Sequence, residues 1–330
     1  LTSSRPVVEA VNLKKYFPVR TGILDLIRRR PKLYVRAVDG VTFTIYEKEI
    51  FCLAGESGCG KTTTGRAILR LVEPTSGKVL FKGENVLEYD GLKLKEFRKK
   101  AQIIFQDPYE SLNPRMTVYD IVEEPLRIHK VGSKGERVEL VMRALEDVEL
   151  KPPEEFLYRR PHELSGGQRQ RVAIARALIL NPEFIVADEP VSMLDMSIRA
   201  EILNLMLKLR DEHRLTYLFI THDLAVAKYI CDRIGIMYLG KIFELGLAEE
   251  VIDNPYHPYT KALISAIPTP DPRVKIGEIP IKGEVTSPIN IPEGCRFHPR
   301  CVYAKSVCKR TEPELIEVSK GHFVACHLYK

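Results

Sequence analysis

Ile50-Phe-Cys-Leu-Ala54 runs directly into Gly55-Glu56-Ser57-Gly58-Cys59-Gly60-Lys61-Thr62-Thr63. Five consecutive apolar residues ahead of a glycine-rich turn read as a short strand buried on both faces, and residues 60–70 after it read as a helix. The turn fits G-x-x-x-x-G-K-[ST], and its strand-before, helix-after setting is the context that pattern requires. Its glycines let the backbone wrap so that successive N–H groups, with those at the helix N-terminus, face phosphate oxygens. Lys61 adds a point charge on the γ-phosphate side, and Thr62 offers a hydroxyl to Mg²⁺. This stretch decides the fold class, an α/β P-loop core binding a nucleoside triphosphate.

Working outward, buried-strand signals recur at residues 102–105, 184–187, 218–220 and 234–237, with a helix over about 197–212 whose Ile198, Ile202, Leu205 and Leu209 share one face. Strand and helix alternation argues for a parallel sheet. Residues 7–81 are largely β, clearest where Val41, Phe43 and Ile45 alternate with polar neighbours. They are interrupted by a basic insertion over residues 21–34, in which Arg28, Arg29, Arg30, Lys32 and Arg36 have no acid among them. Ile23, Leu24, Leu26 and Ile27 beside the arginines suit contact with lipid headgroups, although a solvated loop is the simpler reading. Residues 117–180 are mostly helical and form an insert. From Pro268 to Pro292 six prolines mark an extended linker over 268–293.

The whole chain has 330 residues, 45% of them hydrophobic, and a formal charge of +6. That length buries a full core with room for an accessory domain, which excludes disordered and fibrous classes. No run approaches the ~18 consecutive apolar residues of a membrane span. No signal-peptide pattern opens the sequence, so a cytoplasmic location is expected. The mild positive charge does not by itself point to nucleic acid.

Phe184-Ile-Val-Ala-Asp188-Glu189 ends a buried strand in two carboxylates, at the strand end where ligands bind parallel sheets. Asp188 suits the metal shell, and Glu189 is placed to polarise an attacking water. Ser165 precedes Gly166, Gly167 and Gln168 as a helix N-cap, followed by Arg169, Arg171 and Arg176, and reads as a second anion reader. One nucleotide does not need two readers, so Ser165 and Gly167 are assigned to the nucleotide of a partner subunit.

Taken together these segments resemble the ATP-binding cassette (ABC) ATPase family over about residues 7–250. Residues 55–62 resemble its Walker A, Gln106 in Phe-Gln-Asp-Pro its Q-loop, residues 164–168 its signature, and Asp188-Glu189 its Walker B with catalytic glutamate. Ser192-Met193-Leu194-Asp195 resembles the D-loop, with Met193 where alanine is usual, and His222 in Thr-His-Asp the H-switch. The resemblance implies a RecA-like core with an N-terminal antiparallel β subdomain and a helical signature subdomain over about 107–180. It also implies two cassettes closing head to tail on two ATP·Mg²⁺, with His222 steadying the γ-phosphate. Gln106 then senses the metal, and an aromatic near the N-terminus stacks on adenine. Alignment favours Phe17, with Tyr16 as competitor and core packing as the alternative for either.

Residues 255–263, Pro-Tyr-His-Pro-Tyr-Thr-Lys-Ala-Leu, the stretch 106–114 and the basic insertion resemble ATP-binding subunits of oligopeptide and dipeptide importers. That resemblance implies a cassette over 1–254 and a transporter-type extension over 255–330. Its implied partners are a second ATPase subunit, two integral permease subunits and, indirectly, an extracytoplasmic binding protein. The implied place is peripheral, on the cytoplasmic membrane face. The alternative is a soluble ABC ATPase acting on nucleic acid or ribosomes, which the short 127-position separation of Lys61 from Asp188 argues against.

Of seven cysteines, Cys295, Cys301, Cys308 and Cys326 crowd residues 294–330. In a small domain without export signal this favours metal over disulfides. Four thiolates suit a [4Fe–4S] cluster or zinc. The lack of a C-x-x-C knuckle lowers zinc, and some peptide-importer ATPases carry a cluster at a resembling set; free or oxidised thiols are the remaining alternative. His298, His322 and His327 read as surface side chains, and Cys52, Cys59 and Cys231 as small buried residues.

Overall fold

In chain order the computed structural model runs β1 (Pro6–Pro18), β2 (Tyr34–Tyr46), β3 (Ile50–Ala54), α1 (Lys61–Ile68), β4 (Ser76–Phe81) and β5 (Glu84–Asn85). Next come α2 (Gly91–Lys100), β6 (Ala101–Ile104), α3 (Pro108–Ser111), α4 (Val118–Ile128), α5 (Lys134–Asp147) and α6 (Gly166–Leu178). Then follow β7 (Phe184–Asp188), α7 (Met196–His213), β8 (Thr216–Thr221), α8 (Leu224–Ile230), β9 (Arg233–Tyr238) and β10 (Lys241–Leu247). The chain ends with α9 (Ala248–Asp253), α10 (Pro258–Ser265), β11 (Ile316–Ser319) and β12 (His322–Val324). The structure describes residues 5–19, 33–266, 281–283 and 287–329. Most of the proline-rich linker and of the basic insertion lies outside them.

Two compact units emerge, one of residues 1–7, 45–50 and 88–220, the other of 8–44, 51–87 and 221–330. In the first, β6, β7 and β8 pair in parallel, with Ile104 beside Ala187 and Asp188 beside Ile220. All residues of β7 and β8 are buried, as continuous apolar runs in a parallel sheet demand. Helix α7 turns Ile202, Leu205, Met206 and Leu209 inward, three of them from the face expected from sequence, whereas Ile198 of that expected face is only half-buried. Helices α4 and α5 each start on a capping box, Thr117 with Asp120 and Ser133 with Glu136.

In the second unit β1 pairs antiparallel with β4 in a four-stranded sheet ordered β2-β1-β4-β5. Strand β3 pairs in parallel with β9, β9 antiparallel with β10, and β10 antiparallel with β12, which is in turn paired with β11. The chain's end therefore continues this sheet. The tail is anchored by an aromatic group: Tyr238 lies 4.8 Å from Tyr259 and 5.4 Å from Phe297, and Phe243 lies 4.7 Å from His257. Tyr238, Tyr259 and Phe297 are all fully buried, giving the tail the apolar payload its short strands lack. Beside them Glu244, also fully buried, accepts from the Tyr256 and His257 N–H groups and pairs with His322 at 2.8 Å. His322 and His327 are thus interior side chains, against the surface reading; the His327 ring contacts the Thr311 carbonyl at 2.8 Å.

Candidate ATP site

The glycines at the two ends of the loop after β3 are obligatory. Gly55 has φ +147°, and a Cβ there would stand 2.2 Å from the Met237 carbonyl oxygen; at Gly60, φ +109°, it would stand 2.0 Å from that of Ala37. No L side chain fits either place. Helix α1 begins at Lys61 with no side-chain cap and no acid in its first turn, so its positive end meets no carboxylate of its own. The Lys61 ammonium is buried and donates to the carbonyl oxygens of Gly55 at 2.7 Å and Glu56 at 3.0 Å.

Two carboxylates missed by the sequence reading organise this unit. Glu56 receives a forked pair from Arg300, 2.8 and 3.0 Å, and its N–H donates to the Tyr259 hydroxyl at 2.9 Å. Asp39 takes a guanidinium bond from Arg296, which also donates to the Leu239 carbonyl, and a short hydrogen bond from the Tyr16 hydroxyl. Burial and the Asp39 carboxylate push the Tyr16 phenol up to about 12. Arg296 and Tyr16 in turn help hold the Asp39 carboxyl below its ordinary range, against the burial that opposes this. Tyr16 is thereby committed at its polar end. Phe17 is 37% exposed, with the Lys15 ammonium 4.8 Å over its ring. His222 is exposed, just before Asp223, whose carboxylate caps α8.

In the other unit β7 delivers Asp188, 2% exposed, and then Glu189 at φ +47°. A left-handed conformation in a non-glycine residue stores backbone strain of about 1–3 kcal/mol. Here it is held by the Glu189 N–H donating to the Ile220 carbonyl at 2.9 Å. The Gln106 amide donates to the Glu189 carboxylate at 3.1 Å, joining two side chains 83 positions apart. Ser165 caps α6 in a reciprocal box with Gln168, 3.0 and 3.3 Å, and a Cβ at Gly167 would stand 2.7 Å from Ile198. Asp195 opens α7 at its N-cap. The arginines of α6 are structural struts: Arg169 lies 3.7 Å over the Tyr109 ring, Arg171 pairs with Glu149 at 3.0 Å, and Arg176 donates to the Ser111 carbonyl at 2.6 Å.

At the chain's end Cys295 donates its backbone N–H to the Cys308 carbonyl at 2.8 Å. Each of the four thiols has a backbone N–H aimed at its sulfur, from Phe297, Tyr303, Leu328 and, at 3.4 Å, Lys305. Burial raises the Cys295 thiol to about 12 and also raises Cys301 and Cys326. N–H groups directed at sulfur are what thiolate ligands need. Among the described residues no group of three or more His, Cys, Asp or Glu is arranged to hold a metal ion. Cys52 and Cys59 are buried as small interior residues, whereas Cys231 is half-buried.

Residues 38–192 match the family model of the ABC transporter, and residues 243–308 that of the oligopeptide/dipeptide transporter C-terminal region. The oligopeptide transport ATP-binding protein AppF of Bacillus subtilis is 51% identical over 98% of this chain and 97% of its own. The dipeptide transport ATP-binding protein DppF of Haemophilus influenzae is 48% identical over 97% of this chain and 96% of its own. Among solved structures, a dimeric ATP-binding cassette in a post-hydrolysis state with ADP and Pi superposes with a TM-score of 0.62 at 33% identity. That match covers 73% of this chain and 98% of the other.

Proposed function

Because the chain belongs to the ABC transporter family, whose ATP-binding subunits are ATPases coupled to transport, we propose that it powers peptide import through a membrane permease. One observation carries the reading. A single chain joins the phosphate loop and the Gln106–Glu189 pair to a C-terminal region matching that of oligopeptide/dipeptide transporters, along nearly the full length of peptide-transport relatives.

The roles follow from the local chemistry. The backbone N–H groups of Ser57, Gly58, Cys59, Gly60 and Thr63 and the Lys61 ammonium hold the β- and γ-phosphates of ATP, Lys61 exchanging two loop carbonyls for phosphate oxygens. By the family resemblance, Thr62, Gln106 and Asp188 would hold Mg²⁺, which would offset the charge of the phosphates. Glu189 accepts a proton from the attacking water, and Gln106, already bonded to that carboxylate, reports whether the site is filled. His222 steadies the γ-phosphate. Ser165, Gly166, Gly167, Gln168 and Asp195 serve the nucleotide of a second cassette, closing head to tail in a heterodimer. Phe17 is the better adenine platform, since the Tyr16 hydroxyl is bound to Asp39.

The four C-terminal cysteines are assigned to a [4Fe–4S] cluster. The support is the donor set alone, four cysteines each faced by a backbone N–H. Such a group supplies cross-linking to the tail, and no catalytic step is assigned to it.

No helix among the described residues is long and apolar enough to cross a membrane, in keeping with a peripheral subunit on the cytoplasmic face beside two permeases. Purification of the tagged chain from detergent-solubilised membranes tests the assignment. Recovery with two permease subunits and a second ATP-binding subunit, with ATP hydrolysis stimulated by peptide-loaded binding protein, is expected. Recovery with nucleic acid or ribosomes in their place would overturn it.

A further inference from the structure

A carboxylate inside an anion cradle needs an explanation. Glu56 is the residue after Gly55, and an uncompensated negative charge there opposes the triphosphate. Four contacts grip it: the Arg300 fork on both carboxylate oxygens, the Tyr259 hydroxyl on its N–H, and Lys61 together with the Cys59 N–H, at 3.3 Å, on its carbonyl. Of these Lys61 and Cys59 belong to the loop itself, and Lys61 must leave when phosphate arrives. The other two come from residues 203 and 244 positions later in the chain.

Arg300 is built for the task. It is 6% exposed, its guanidinium reaches the Tyr238 hydroxyl at 3.4 Å, and it lies 5.7 and 5.8 Å from the Tyr238 and Phe297 ring centres. Its Nε is buried with no hydrogen-bond partner, so all of its bonding is made by the fork end. A planar fork against a carboxylate fixes direction as well as charge.

We propose that Arg300 of the C-terminal extension is a positioning residue for ATP binding: it neutralises Glu56 and fixes the first turn of the phosphate loop while Lys61 changes partners. The extension is thereby part of the nucleotide-binding apparatus. The proposal rests on residues 55–62 being the ATP phosphate loop, which Lys61→Ala tests separately: unaltered MgATP binding in that variant would refute the loop assignment rather than the role of Arg300.

The experiment is displacement of trinitrophenyl-ATP by MgATP on the full chain, with melting temperature recorded for every variant. Arg300→Ala is expected to weaken MgATP by about tenfold, and Arg300→Lys, which keeps charge without the fork, by less. In steady-state hydrolysis the loss falls on KM, with kcat at saturation little changed. The double variant Glu56→Gln/Arg300→Ala is expected to recover most of the affinity, because the exposed charge has gone. Parental affinity in Arg300→Ala overturns the proposal. A double variant as weak as the single one does so equally.

Discussion

Glu189 and His257 show how much one position can hold. Glu189 adopts a left-handed backbone, strain that is retained where geometry matters to chemistry, and its carboxylate is already met by Gln106. His257 is 1% exposed; its Nδ1 accepts the Tyr259 N–H at 3.0 Å, and burial lowers its pKa to about 3. The unfolded chain takes up a proton here below pH 6.5, whereas the folded one stays neutral until about pH 3. Stability from this site is thus full above 6.5 and falls with pH, by about 2 kcal/mol at pH 5. Urea midpoints at pH 7 and 5 are expected to differ less in His257→Asn, which keeps a capping acceptor, than in the parent. Equal pH dependence would contradict the buried neutral imidazole. The motif residues were legible in sequence because each sits within a few positions of the glycines, carboxylates or apolar run that give it meaning. Asp39 and Glu56 were not, since their partners Arg296 and Arg300 are 257 and 244 positions away.

Elements were readable in proportion to their self-sufficiency. Helix α7 carries its own apolar face, and β7 and β8 are continuous apolar runs. Strands β11 and β12 are only four and three residues long and exist because β10 offers an edge, information that no local window contains. Helix α2 was missed for a related reason: Phe97 is its one buried residue, so the periodic signal is faint. Helix α6 separates capping from signalling. Ser165→Ala removes the oxygen facing the Gln168 N–H and is expected to lower stability by about 1 kcal/mol. It should also reduce ATP turnover, while MgATP binding by the phosphate loop stays at the parental level. Parental turnover at the expected stability loss would confine Ser165 to its cap.

At the scale of the whole molecule, the extension after residue 254 is not an appendage to the cassette. Its hairpin extends the sheet through β10, its aromatic side chains pack on Tyr238, and its arginines reach Asp39 and Glu56. Apolar packing and buried ion pairs make the tail part of that unit's core. Anaerobic purification of the parent is expected to give four irons per chain and brown absorbance; Cys301→Ser should lose iron and melt earlier. Stoichiometric zinc, or no metal, would refute the cluster. ATP hydrolysis by a water activated at Glu189 is checked by turnover of the parent and Glu189→Gln in one preparation. At least a hundredfold loss of turnover is expected with MgATP binding retained, about 3 kcal/mol in the barrier. Turnover within twofold of the parent would contradict this role for Glu189.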